Sequence, residues 1–125
     1  MSLPFAEVFS TLKSVFRPCL KQLHVIADTD KEYTLVSQIP SPLPQHKGKP
    51  MYFGSVRLGK AYVSFHLMPL YMNPKLTKTI SPSLKKRMQG KTCFNFKANP
   101  DQSTLTELKR LTAEGLEQFK NKKWL

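Results

Sequence analysis

The apolar positions of the first two dozen residues recur at intervals of three and four: Phe5, Val8, Phe9, Leu12, Val15, Phe16, Cys19 and Leu23. That period gathers them on one face of a helix laid against a sheet, with Glu7, Lys13, Arg17 and Lys21 on the other. Pro4 suits the first turn, where a missing N–H costs nothing, whereas Pro18 predicts a kink or an end near Arg17. The period then drops to two. His24–Ala27 and Glu32–Ile39 read as strands flanking the turn "DTDK", whose Asp side chains favour local bonds to the backbone. Four prolines and a glycine in "PSPLPQHKGKP" predict an extended, mobile loop over 40–50 that joins no regular ladder.

Alternation returns in "MYFGSVRL" and "AYVSFHLM", two strands joined across Gly59-Lys60, where glycine is expected to supply a positive φ. In the second strand Ala61, Val63, Phe65 and Leu67 point to the core, and Tyr62, Ser64, His66 and Met68 point away. Pro69 closes the strand, and "LYMNPKLTKTI" reads as an irregular connection. Ser81 then caps a short helix with Pro82 in its first turn, running to about Gln89, and Gly90 serves as the left-handed residue that ends it. "KTCFNFK" follows as a strand, with Thr92, Phe94 and Phe96 on one side and Cys93, Asn95 and Lys97 on the other. Leu105, Leu108, Leu111, Leu116 and Phe119 line one face of a closing helix, opened by a capping box of Thr104 and Glu107. Gly115 costs that helix about 1 kcal/mol against alanine, for which a close approach to the sheet is one reason. Trp124 is expected to dock on the domain.

The order is helix, strand meander, short helix, strand, long helix. It predicts the α+β class: a two-layer sandwich with an antiparallel sheet of about five strands. The N- and C-terminal helices pack on one face, and the short helix precedes the last strand. A length of 125 residues fits one domain, 1–125, large enough to bury a core without a metal or disulfide.

Charge adds what the hydrophobic pattern does not. The net charge is +12, yet residues 1–45 and 101–125 are nearly balanced. Residues 46–100 hold eleven cations and no acid: Lys47, Lys49, Arg57, Lys60, Lys75, Lys78, Lys85, Lys86, Arg87, Lys91 and Lys97. Such a field suits an anionic ligand, a lipid surface, a nucleic acid or an acidic protein, while a solubilising role for the lysines is the plainer explanation. The N-terminus lacks a basic leader and no window reaches about 20 apolar residues, so a soluble, cytoplasmic protein is expected.

Chemical motifs are sparse. Cys19 and Cys93 read as small buried or half-buried hydrophobes, and no zinc spacing, nucleophile elbow or dinucleotide fingerprint is present. A helix that precedes the glycine of "KKRMQGK" reverses the order of a phosphate-binding loop. Asp28, Asp30 and Glu32 form the one acidic cluster and read as turn chemistry. Cys93 with His66 is the sole cysteine–histidine pair the sheet allows, and a strand cysteine is usually inert. The outward set Tyr62, Ser64, His66, Asn95 and Lys97, with Arg57 and Lys91 among the surrounding cations, forms a polar floor able to hold a carboxylate or phosphate. An ordinary solvated sheet face is the competing reading. Tyr52, Tyr62 and Tyr71 between cations give nucleic acid a weaker claim.

"GKPMYFGSVRLGKAYVSFHLMP", "ISPSLKKRMQGKTCFNF" and the closing amphipathic helix together resemble the YdhG-like family of small bacterial domains of unknown function. The likeness covers about residues 47–122. The first helix agrees in type only, and "PSPLPQHKGKP" stands where the family has a Gly-Met-Pro lead-in. The resemblance implies a two-layer fold reminiscent of frataxin, and for some members an intracellular iron-chaperone role. Iron handling asks for hard carboxylate ligands, which residues 46–100 lack. The expected function is therefore a non-enzymatic binding module for an anionic small molecule or acidic protein partner, with no cofactor. Sequence-independent nucleic-acid binding is the alternative, and an iron chaperone ranks third.

Overall fold

Strand follows strand in a meander until the fourth, and the last two fold back to close the far edge. The computed structural model describes residues 3–40, 44–90 and 92–123, and only the backbone of Leu3, Pro4 and His46. Lys91 and Trp124, singled out above, lie outside the described residues. The elements are α1 (Leu3–Ser14), β1 (Leu23–Asp28), β2 (Glu32–Pro40), β3 (Pro50–Leu58), β4 (Val63–Leu67), α2 (Pro69–Met72), α3 (Pro74–Thr77), α4 (Pro82–Lys85), β5 (Met88–Gln89), β6 (Cys93–Phe96) and α5 (Gln102–Asn121). The strands make one sheet of six in the order β1-β2-β3-β4-β6-β5, each antiparallel to its neighbours. This is the α+β architecture that the period changes predict, with one strand more.

Both terminal helices cover the same face of the sheet. α1 lies across β3 and β4. Just beyond its end, Phe16 stacks on Phe65 of β4 at 4.9 Å between centroids and meets Phe53 of β3 edge-on at 6.2 Å. Phe119 of α5 meets the same Phe53 at 5.2 Å and 88°. Burying such a ring contributes about 2–3 kcal/mol each, so this aromatic cluster is the energetic centre of the layer contact. Gly54 sits beneath it: a Cβ there would lie 2.8 Å from the Phe16 ring and 2.8 Å from the His66 carbonyl.

Several expectations are corrected, each by a local physical cause. α1 stops at Ser14, not near Arg17, because Pro18 lacks an N–H and its ring opposes the carbonyl four residues earlier; Arg17–Cys19 continue as a tighter turn. In the β1–β2 turn it is Thr29, not an Asp, that accepts from the N–H groups of Lys31 and Glu32 at 3.2 and 3.0 Å. Part of the proline-rich stretch is regular after all, with a single helical turn at Pro44–His46 and Pro40 paired with Pro50 across β2 and β3. Gly59 does not have a positive φ. Its small size is used instead, since a Cβ would sit 2.9 Å from the Tyr62 carbonyl.

Residues 69–85 are more ordered than an irregular connection. Pro69, Pro74 and Pro82 each open a helical turn, and Leu70, Leu76, Ile80 and Leu84 reach the core. α4 ends at Lys85, short of Gln89, because Met88 and Gln89 leave the helix to pair with Phe94 and Cys93. Gly90, at φ 77°, is thus the turn of a β5–β6 hairpin and not a helix terminus. At α5, Asp101 is the N-cap and accepts from Thr104 N–H at 2.8 Å. Glu107 is freed from the expected capping box and bonds to Ser81. Gly115 allows close approach to Pro69 of α2, not to the sheet: a Cβ would be 2.7 Å from that ring.

Candidate functional site

Opposite the helices, the sheet presents a second, largely polar face, set along β4 by regular alternation with the core. Along β4, Val63, Phe65 and Leu67 are buried in the core, while Tyr62, Ser64, His66 and Met68 stand half-buried on the other side. Ala61, expected with the core set, is exposed because it lies in the turn before β4. Pairing register then assigns neighbours. One row across the face runs Glu32, Arg57, Ser64, Asn95, and the next runs Thr34, Ser55, His66, Cys93, Gln89.

Asn95 links the two rows beside the β5 edge. Its Oδ1 accepts from Ser64 Oγ at 3.1 Å and from Cys93 Sγ at 3.4 Å, and its Nδ2 donates to Gln89 Oε1 at 2.7 Å. Tyr62 O–H donates to the same Gln89 oxygen at 3.4 Å. Both amide oxygens are therefore consumed as acceptors. The Gln89 N–H groups have no partner among the described residues and remain available as donors.

Around this network the chain brings cations. Tyr62, Gln89, Asn95 and Met88 share a surface cleft of about 380 Å³ with Lys86, Arg87 and Lys97. Arg87 also lies over the Phe96 ring, 5.2 Å from its centroid, which orients the guanidinium at the sheet edge. Among the described residues, no cation of the segment 46–100 forms an ion pair; the pairs present use Lys13 and Arg110. Asp101 does feel Arg87, as a small influence behind its bonds to Thr104 and Ser103, and all of these hold its carboxyl below the usual range.

The expected site residues thus divide. Tyr62, Asn95 and Lys97 line one cleft, and Ser64 adjoins it through Asn95. Arg57 and His66 lie on the same face but outside that cleft. Lys86, Arg87 and Gln89 were missed as site residues, because a helix running to Gln89 turns them away from Asn95. The signal that would have found them is the glycine of "MQGKTCF" between two short alternating runs, a hairpin pattern. The cations also do not form a single patch. Lys75 and Lys78 belong to α3 and its end, Lys60 to the β3–β4 turn, and Lys47 and Lys49 line a separate cleft at the start of β3.

The titratable groups of the face are tuned away from nucleophilic chemistry. Burial, and then the Arg57 charge, push the His66 imidazolium down, so the ring is neutral at neutral pH. Burial pushes the Cys93 thiol up, against smaller downward pulls from the Ser64 hydroxyl and Arg57. His66 and Cys93 are direct partners across β4 and β6, yet the thiol is directed at Asn95 and neither group favours a thiolate–imidazolium pair. Of the acidic cluster, Asp28 pairs with Lys13 at 2.7 Å and Glu32 accepts from Thr34 Oγ1 at 2.7 Å. Among the described residues no three His, Cys, Asp or Glu side chains gather as metal ligands, and no helix is long and apolar enough to cross a membrane.

Comparison of the chain with protein-family models, with curated proteins and with solved structures finds no match.

Proposed function

We propose that this chain is a binding module that holds an anionic group, on a small molecule or an acidic protein partner, at the β5 edge of its sheet. The observation that carries the reading is the cleft in which Lys86, Arg87 and Lys97 surround the Asn95–Gln89–Tyr62 network without an acidic lining residue. Ammonium and guanidinium groups supply charge, and the amide N–H groups and the tyrosine fix orientation. Ser64 positions Asn95 from behind, and His66, neutral on the same face, serves as a polar neighbour and not as a cation. The YdhG-like resemblance belongs to the same proposal. Its support is the order of elements within residues 47–122: hairpin, short helix, glycine turn, aromatic strand and closing helix.

The test is calorimetric titration of the full chain with pyrophosphate and with an acidic peptide at low salt. Binding of one equivalent is expected, and Lys86→Ala with Arg87→Ala should weaken it about tenfold or more, the worth of one lost charge-assisted bond. No binding, or binding indifferent to these changes, ends the proposal. A nucleic-acid backbone is the second reading for the same cations, favoured by Tyr62 beside them as a stacking surface. It requires retardation of single-stranded oligonucleotides, with log affinity falling by about 0.7 per phosphate contacted as log salt rises.

A further inference from the structure

At the other end of β4 the chain builds a second and larger cleft. We propose that it binds a small molecule carrying one anionic group on an apolar body, independently of the β5 edge. Its volume is about 680 Å³, within the range of pockets that enclose small ligands.

The local sequence explains the cleft. Met51 and Tyr52 open β3, Met68 leaves β4, and Tyr71 and Met72 belong to α2 and line the opposite wall. The two walls are clasped by Met68 N–H donating to the Phe53 carbonyl at 2.9 Å. Three thioethers and two phenol rings make an apolar lining that adapts to the shape of a guest. The Tyr52 hydroxyl is engaged with Ser55 Oγ, which holds its ring in place. Tyr71 is 61% exposed and forms the outer lip.

Charge is confined to one rim. Lys47 and Lys49 line the cleft, no carboxylate does, and neither lysine is in an ion pair with a described residue. Lys47 and Gly48 both adopt positive φ, 51° and 80°, turning the chain between the two lysines. A bare inorganic anion would find no use for the thioether and aromatic lining. An uncharged apolar molecule would find no use for the lysine rim. A carboxylate, sulfonate or phosphate on an aromatic or alkyl body satisfies both.

Anilinonaphthalene sulfonate, an aromatic sulfonate, tests this by calorimetry and fluorescence with the full chain. One molecule per chain is expected, and the uncharged phenylnaphthylamine should bind about tenfold more weakly. Lys47→Gly combined with Lys49→Gln should lower sulfonate affinity about tenfold, and glycine at 47 keeps the positive φ free of strain. The double variant Lys86→Ala, Arg87→Ala should leave it unchanged, so failure here and failure at the β5 edge are separable. Tyr71→Ala, an exposed position, should weaken both dyes. Displacement by decanoate supports the proposal, whereas displacement by an acidic peptide and not by decanoate makes the cleft a protein groove and overturns it. Equal binding of charged and uncharged dyes, indifference to the lysine changes, or no saturable binding also overturns it.

Discussion

Glu107 of α5 accepts two hydrogen bonds from Ser81, 26 residues away: the backbone N–H at 2.7 Å and the hydroxyl at 2.6 Å. Ser81 in turn caps α4, accepting from Leu84 N–H at 3.3 Å. One carboxylate therefore locks the helix that delivers Lys86 and Arg87 onto the helix that closes the core. Glu107→Ala leaves the Ser81 N–H without its acceptor and should destabilise the fold by about 2–3 kcal/mol, with Glu107→Gln costing about half. Urea denaturation measures both, and an unchanged midpoint for the alanine variant refutes the lock. Arg110, 4.0 Å from Glu107 and largely exposed, contributes less than either bond.

Gly115 sets two magnitudes against each other. Alanine at a helix interior is favoured over glycine by about 1 kcal/mol. A Cβ 2.7 Å from the rigid Pro69 ring forces α2 and α5 apart, and overpacking of that kind costs about 1–3 kcal/mol. Gly115→Ala is expected to lower the melting temperature, and Pro69→Ala in the same chain to recover part of the loss. A stabilised single variant would show that α2 yields freely.

The His66 imidazolium lies below its ordinary value of 6.5, through burial first and Arg57 second. The unfolded chain then takes up this proton at a higher pH than the folded one. Its contribution is a loss of stability that begins as pH falls through the ordinary value and levels off below the folded one. Proton NMR of the ring should give a midpoint under 6.5. Arg57→Gln should raise it only part of the way, since burial is the larger cause, and a full return would reverse that order.

The two thiols should differ in reactivity. Cys19 is 2% exposed and its thiol is pushed up to about 11 by burial. Cys93 is half-buried and raised less. A thiol reagent near neutral pH should modify Cys93 slowly, faster as pH rises, and reach Cys19 only when the chain unfolds. Mass spectrometry of the labelled peptides checks the order, and labelling of Cys19 first would contradict its burial in the core.

The elements that were legible are those whose pattern is complete within a short window. The stripe from Val8 to Leu12, the alternation of Val63 to Leu67 and the leucines of α5 each follow one period. Each can be buried only one way. The hairpin at Gly90 was misread because "SPSLKKRMQ" carries a good cap and good helix formers. Pairing with β6 and burial of Met88 outweigh that local preference. The turns at Pro69 and Pro74 left a sign in their prolines, whereas the core role of Leu70 and Leu76 depends on where α5 lies.

For the site, alternation alone determined that Tyr62, Ser64 and His66 share the face opposite the core, because side chains of a strand alternate whatever surrounds them. The distribution of charged residues along the sequence separately determined that the middle of the chain is cationic. Only tertiary structure decided which cations meet which polar groups. The placement of β6 between β4 and β5 joins Asn95 to Ser64 and Gln89, and the early end of α4 brings Lys86 and Arg87 beside them. Strand order and helix length are settled by competition among distant burial and pairing energies, and no local window of residues contains that competition.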